Sequence, residues 1–374
     1  MPAFYPAHVY GGPIETVLQL CRRLVDTGDC EVRVLTTNAN GAQSVLDVET
    51  GRDVLFNEGF TVRYCRRLMA NSISGELMAQ MWSYVRWADL VHVTAVYSFP
   101  TLPSLLACKV LGKPVVLSPR GALRRWERSP RIVAKTIYEH AVRRLLPKRF
   151  VLHASSEDEA RDSQERLPGI EVAVVPNGVE IPVGVSSVPR NGTLRLLYLG
   201  RLDPIKGIEN LVEACAQLSG RTDQAWRLTL AGAGEERYVQ SLRALIDRRG
   251  LSDRVDMAGQ VVGNAKRALF EHADVVVAPS FRESFGMSIV EALAHGVPVI
   301  AGRGTPWRRL EEMQCGLWVE NDPENLAKAI ERINTMPLCK MGQCGQEWMK
   351  KDFDWFTVAE KMARVYRALL ARSL

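Results

Sequence analysis

Two carboxylates eight residues apart, Glu283 and Glu291, flank the small-residue turn Ser284-Phe285-Gly286 in ADVVVAPSFRESFGMSIVEALAHGVPVIAG. ADVVVAPS has the composition of a buried strand, ESFG that of a turn, and SIVEALAHG that of a helix closed by Gly296. The first amides of such a helix have no internal partners and lie at the positive end of its dipole, so they suit an anion such as a diphosphate. Eight helical residues rise about 12 Å. That is too far for one acid/base pair, but it suits holding a long ligand at two points, one acid on a ribose and the other on a sugar ring. The plainer explanation is that both acids favour a helix start and a solvated face, and spacing alone does not choose between the two.

A second group of residues favours the ligand. LRLLYLGRLDPIKGIEN sets Gly200 and Arg201 at the end of a strand and Lys206 five residues further on, ahead of Gly207 and the next helix. Two cations on one strand-to-helix loop are placed to neutralise a diphosphate leaving group, although a basic pair alone is more often simply solvated. The GxG of LTLAGAGEER is expected only to let a strand and helix pack closely.

These residues need strands that end near one another. The chain has 374 residues, 47% hydrophobic and 24% charged, a globular composition on a length that favours two domains. Its eight cysteines are scattered, with no CxxC pair and no His at ligand spacing, which points to reduced thiols and no metal site. MPAFYPAHVYGG lacks the basic start and apolar run of a secretory signal. The uncharged stretch Leu90 to Cys108 contains two prolines and a His, so a strand, loop and helix are expected there rather than a membrane span. A soluble, cytoplasmic protein is expected.

Strand and helix alternate almost throughout. EVRVLTTN, FTVRYCRR, DLVHVT, KPVVLSP and FVLHAS are strands on this pattern, and PNGVEIPVGVSSVPRNGT is a linker with no helical period. The pattern then restarts with LRLLYLG, WRLTLAG, DRVDMAG, ADVVVAP, VPVIAG and CGLWVE. Val- and Leu-rich strands separated by helices imply parallel sheets with right-handed crossovers. The expected class is α/β, with two doubly wound Rossmann-like domains over residues 1–182 and 183–352 and a closing helix over 353–374. That helix presents Val358, Met362, Val365, Tyr366 and Leu369 on its apolar face. Ligands of such sheets bind beyond the carboxyl ends of the strands, here in a cleft between the halves. Only Pro2-Ala3-Phe4 precedes Tyr5-Pro6, which leaves little room for a strand before Gly11-Gly12. Either the native start lies upstream or the first strand is unusually short.

GRLDPIKG, ESFGMSIVEALAHGVPVIAG, VVPNGVEIP and GGPIETVLQLCRRL together resemble the retaining GT-B glycosyltransferases of the family 4 type (glycosyl transferases group 1) over nearly the whole chain. This large family includes glycogen and sucrose synthases and many bacterial lipopolysaccharide and capsule enzymes. Its most specific mark here is the E-x7-E pair in a strand–turn–helix context. The resemblance implies a GT-B fold whose last helix crosses back to the first domain, and a nucleotide-diphosphate sugar as donor substrate without a cofactor. By position, Glu291 corresponds to the acid on the ribose hydroxyls and Glu283 to the acid facing the donor sugar. The Phe285, Gly286 and Met287 amides would contact sugar and phosphates, with Gly200, Arg201 and Lys206 at the departing diphosphate. The loop at Gly259-Gln260-Val261 would meet the base. Gly11-Gly12 would let the first-domain loop approach the donor phosphates and the acceptor. A same-face displacement, in which the leaving phosphate helps deprotonate the acceptor, needs electrostatic support rather than a protein nucleophile, and the two cations stand where a metal could otherwise serve.

The acceptor side departs from the family pattern. Many relatives carry a His in the loop that here reads LSPRGALRRW, where this chain offers Arg120. His92, one strand earlier, is a candidate for the cleft, weighed against a strand-end histidine satisfied within the fold; His8, before the glycine pair, is another. Ser118 to Phe150 carries ten cations against two carboxylates in a chain of net charge +6. Interleaved with apolar residues, the span Arg120–Arg149 suits an anionic membrane or a lipid-linked acceptor at the inner face of the cytoplasmic membrane, or else an ordinary solvated helix face. No nucleic-acid recognition module accompanies the charge. The expected function is transfer of a sugar to a glycan or lipid-linked hydroxyl in bacterial surface polysaccharide or glycolipid biosynthesis. The alternatives are a nucleotide-sugar epimerase on the same fold, against which the E-x7-E pair speaks, and a catalytically silent nucleotide-sugar-binding subunit.

Overall fold

The computed structural model describes residues 1–41, 43–69, 72–124, 132–184, 192–219 and 225–372. The chain divides into two compact units, Met1–Gly178 together with Trp355–Leu374, and Val179–Asp354. No helix among the described residues is long and apolar enough to cross a membrane.

In the first unit, β1 (Val32–Thr37), β2 (Asp53–Asn57) and β3 (Phe60–Cys65) form one sheet in the order β1-β3-β2. A second, parallel sheet holds β4 (Val91–Thr94), β5 (Val115–Ser118), β6 (Phe150–Ala154) and β7 (Val172–Val174) in sequence order. Strands β5 and β6 are buried at every residue, which is why they read as unbroken apolar runs. Strand β2 pairs antiparallel with β3 at the edge and has no fully buried residue, so its DVLFN sequence gives no such signal. No strand precedes Gly11: the Met1 ammonium donates to the Leu35 carbonyl at 2.9 Å and the Thr37 hydroxyl to the Pro2 carbonyl at 2.7 Å, laying residues 1–2 beside β1.

Helices α1 (Gly12–Asp26), α2 (Gly75–Trp87), α3 (Thr101–Val110), α4 (Ile132–Leu145) and α5 (Glu157–Arg166) complete this unit, with the C-terminal helix Trp355–Leu370. The last buries Trp355, Val358, Ala359, Met362 and Ala363 against Leu20 and Leu24 of α1 and Val175. Its Leu369 reaches Val116 and Val151 on β5 and β6. Burying each of the larger side chains contributes on the order of 1.5–3 kcal/mol, and the stripe holds the helix through several of them together.

The second unit is one parallel sheet of β8 (Leu194–Leu199), β9 (Trp226–Ala231), β10 (Val255–Gly259), β11 (Val275–Ala278), β12 (Val299–Gly302) and β13 (Gly316–Val319), in the order β10-β9-β8-β11-β12-β13. Helices α6 (Ile208–Ser219), α7 (Glu236–Arg248), α8 (Gly263–His272), α9 (Met287–Ala294), α10 (Pro323–Asn334) and α11 (Leu338–Asp352) cover both faces. Alternate residues of β8 therefore enter two cores: Leu194, Leu196 and Tyr198 pack with α6, α7 and α10, whereas Leu197 packs with α9. The chain moves outward from β8 through β9 and β10, then returns to pair β11 on the other side of β8. Loops leaving β8 and β11 diverge at that switch point, where doubly wound sheets hold their ligands.

Candidate functional site

Three loops at the carboxyl ends of β8, β11 and β12 are stitched together by main-chain hydrogen bonds. The Phe281 amide donates to the Ile205 carbonyl and the Glu283 amide to the Gly304 carbonyl, each at 3.0 Å. In the first loop, the Asp203 carboxylate accepts from the Ile205 amide at 3.1 Å and caps the turn Pro204–Lys206. Gly207 then closes that turn in the left-handed region (φ 64°), with the Pro279 carbonyl 2.3 Å and the Asn321 amide nitrogen 2.2 Å from where a Cβ would stand. Only glycine allows both the backbone sign and the approach.

Held this way, Lys206 Nζ pairs with the Glu283 carboxylate across the switch point. Arg201 is differently placed: it is largely exposed and lies 3.5 Å from Asp203, so the two cations are not equivalent. Tyr198, beneath them, donates its hydroxyl to the Arg201 carbonyl at 2.8 Å, and burial, with Glu283 and Asp203 adding, pushes its ionisation up. Gly200 follows β8 and lies against the loop that leaves β9, its amide donating to the Ala231 carbonyl at 3.0 Å. A Cβ on Gly232 would sit 1.8 Å from the Gly200 carbonyl, and one on Gly234 would sit 2.3 Å from the Leu202 carbonyl. The GxG turn therefore lets one strand-end loop run against another, not a helix against a strand as its spacing suggested.

Beyond Glu283, the turn is anchored from below. Phe285 is buried, its carbonyl accepts from Trp307 Nε1, and its ring packs on Trp307 and Phe353 at 5.5 and 6.2 Å. Its side chain belongs to the core, and only its backbone faces the turn. Gly286 (φ 90°) precedes α9 and no side chain caps it, so the opening amides at Met287 lie at the positive end of the helix dipole. Further along α9, Glu291 accepts from Lys266 Nζ of α8 at 2.6 Å. Gly259 is exposed at the end of β10, with its carbonyl accepting from the Gly232 amide at 2.7 Å, and Val261 packs partly against the α9 core. The structure thus joins Lys206 to Glu283, and joins Glu291 to a lysine that carries no sequence signal because its partner is on a different helix.

The first-unit candidates fare differently. His92 is engaged at both ring nitrogens, Nδ1 with the Tyr366 hydroxyl at 2.5 Å and Nε2 with Ser118 Oγ at 2.6 Å. The line continues from Ser118 Oγ to His153 Nδ1 at 2.6 Å, and from His153 Nε2 to the Val175 carbonyl at 2.8 Å. A carbonyl only accepts, so every proton in the row is assigned: His153 Nε2 donates to Val175, Ser118 to His153, His92 Nε2 to Ser118, and Tyr366 to His92. Burial, with the Arg120 charge adding, lowers His153 to about 3, and burial likewise lowers His92. His92 is therefore corrected from cleft candidate to a neutral link between β4, β5 and the C-terminal helix.

Arg120 adopts a left-handed backbone (φ 54°) and its Nη1 donates to Asn177 Oδ1 at 2.6 Å. His8 is exposed in a short turn, its carbonyl accepting from the Gly11 amide at 2.9 Å, and α1 begins at Gly12. Of the basic span, Arg125, Arg128 and Arg131 lie outside the described residues. In α4, Ile132, Val133 and Ile137 are exposed on a helix that also carries Lys135, Arg143 and Arg144. Arg124 pairs with Asp162 at 3.0 Å and Arg149 donates to the Gly112 carbonyl at 3.0 Å, so part of the positive charge is spent within the fold.

Residues 186–347 match the family described as glycosyl transferases group 1, and residues 11–178 match the glycosyl transferase 4-like domain. A D-inositol 3-phosphate glycosyltransferase of Xylanimonas cellulosilytica is 30% identical over 322 residues, 78% of this chain and 75% of that protein. The chain belongs to the group 1 glycosyltransferases. A GDP-mannose:cellobiosyl-diphosphopolyprenol alpha-mannosyltransferase of Xanthomonas oryzae is 26% identical to this glycosyltransferase chain over 343 residues, 90% of this chain and 85% of that one. Against the glycogen synthases of Mycobacterium tuberculosis the match, 32% over 213 residues, spans only half of their length. Among solved structures, Anabaena HepE in complex with UDP aligns with a TM-score of 0.71 at 19% identity, covering 96% of this chain and 97% of that one. The GT-B fold with two Rossmann-like domains follows from such neighbours.

Proposed function

We propose that this protein is a retaining, metal-independent glycosyltransferase that moves a sugar from a nucleotide-diphosphate donor to the hydroxyl of a glycan or lipid-linked acceptor. The observation that carries this is the Lys206–Glu283 pair at the switch point, beside the uncapped start of α9. On this reading Glu291 holds the ribose, the backbone at Phe285, Gly286 and Met287 faces the sugar and phosphates, and Glu283 holds the donor sugar. Gly259 and Val261 border the base. In the free protein Lys206 is neutralised by Glu283; a bound diphosphate competes for it, and Lys206 with the exposed Arg201 then offsets the charge that grows on the leaving group. The leaving phosphate itself takes the acceptor proton, so no protein nucleophile is required.

The acceptor reading is supported by the Xanthomonas relative, whose name pairs a nucleotide-diphosphate sugar with a lipid diphosphate. Exposed Val133 and Ile137 among the cations of α4 suit a peripheral position at the inner face of an anionic membrane, in surface polysaccharide or glycolipid assembly. On the same reading the Gly11-Gly12 loop approaches the donor phosphates and the acceptor, with His8 and Arg120 on the acceptor side.

The test is a panel of UDP-, GDP- and ADP-sugars incubated with a lipid extract and the purified chain. Glu291→Gln is expected to weaken nucleotide binding about tenfold or more, the worth of a charged hydrogen bond. Lys206→Ala is expected to lower kcat by about 100-fold with a smaller change in binding, as for loss of one leaving-group contact. Nucleotide binding without turnover by any donor would instead favour the silent binding subunit, and unchanged kinetics in both variants would remove the donor-site assignment.

A further inference from the structure

Helices α8 and α9 lie side by side and meet in two rungs one helical turn apart. The lower rung is Phe270 stacked on His295, the residue that caps the C-terminal end of α9, with ring centroids 4.7 Å apart and planes inclined by 27°. The upper is Lys266 with Glu291 at 2.6 Å. Each residue of the lower rung follows its counterpart in the upper by four positions, so the helices run parallel and both upper residues lie toward the N-terminal ends. Phe270 is buried and fixes the pair from beneath, whereas the Lys266 and Glu291 side chains keep 32% and 21% of their surface exposed. A surface ion pair would be free to swing; this one stands on a packed base and faces outward at the ligand end of the sheet.

The two heads differ in what they offer. A carboxylate only accepts, and with Oε1 taken by Lys266 it has Oε2 to present; an ammonium only donates, and it has protons beyond the one given to Glu291. We propose that Lys266 and Glu291 act together as a reader of vicinal hydroxyls, one ribose hydroxyl donating to Glu291 and its neighbour accepting from Lys266. The proposal rests on the donor-site reading above and adds Lys266 as the residue that distinguishes ribose from deoxyribose. A diol fills both heads at once. A deoxyribose makes only one of these two bonds, and the hydrogen bond to a charged group that it forgoes favours the ribonucleotide.

The experiment measures binding of UDP, GDP and ADP, each beside its 2′-deoxy and 3′-deoxy counterpart, to the full chain by calorimetry. For whichever base binds, the wild type is expected to favour the ribonucleotide over one deoxy form by about tenfold to a hundredfold. Lys266→Met is expected to weaken the ribonucleotide toward the level of the deoxy form, which changes little, so that the ratio falls to about twofold or less, and Lys266→Gln, a neutral donor, to restore part of it. A ratio unchanged in Lys266→Met overturns the reader and leaves the donor site standing. Failure of the wild type to bind any of the three ribonucleotides overturns the donor site and the reader together.

Discussion

Lowering the pH from 7 to 5 tests the hydrogen-bonded row through His153. In the folded chain this imidazole is buried and neutral, lowered from its ordinary 6.5 to about 3. The unfolded chain therefore binds a proton between those values that the folded chain refuses, and stability falls with pH. The contribution is complete above 6.5 and is lost progressively toward about 3. At pH 5 the gap from 6.5 is one and a half pH steps, and at about 1.4 kcal/mol per step it amounts to about 2 kcal/mol. Hydrogen exchange at the amides of β5 and β6, corrected for intrinsic rates, reports this loss for the first unit alone. His153→Gln retains a donor for Val175 and an acceptor for Ser118 but cannot titrate, so its loss between the two pH values is expected to be smaller by that amount. Imidazole NMR supplies an independent check, since the His153 signals should stay neutral throughout. A His153 resonance titrating near its ordinary value, or equal pH dependence in the two proteins, would refute the proton assignment.

Two further outcomes follow from packing and charge. Gly232→Ala drives a methyl group to within 1.8 Å of the Gly200 carbonyl, where no rotamer relieves the overlap; it is expected to cost about 2 kcal/mol or more by chemical denaturation and to reduce activity by moving Arg201. Vesicles containing anionic lipid are expected to carry the chain upward on flotation in a salt-sensitive way, and Val133→Asp with Ile137→Asp to abolish it. Equal recovery with neutral vesicles would count against the α4 surface.

The sequence alone determined the alternation of strand and helix, because strands such as β5, β6 and β11 are covered on both sides and read as apolar runs. It also determined the acidic pair and the basic loop, since Glu283, Arg201 and Lys206 lie on strand-to-helix connections whose glycines mark them as turns, and Glu291 follows in the helix that one of those turns opens. What tertiary structure decided was which side chains meet. Lys206 finds Glu283 because strand order reverses between β8 and β11, and Glu291 finds Lys266 because α8 and α9 pack in parallel. His92 joins Ser118, His153 and Tyr366 from positions as far as 274 residues apart. Local pattern records how each segment is buried, but a side chain's partner is set by the pairing of distant strands and helices, and no short stretch of chain encodes that pairing.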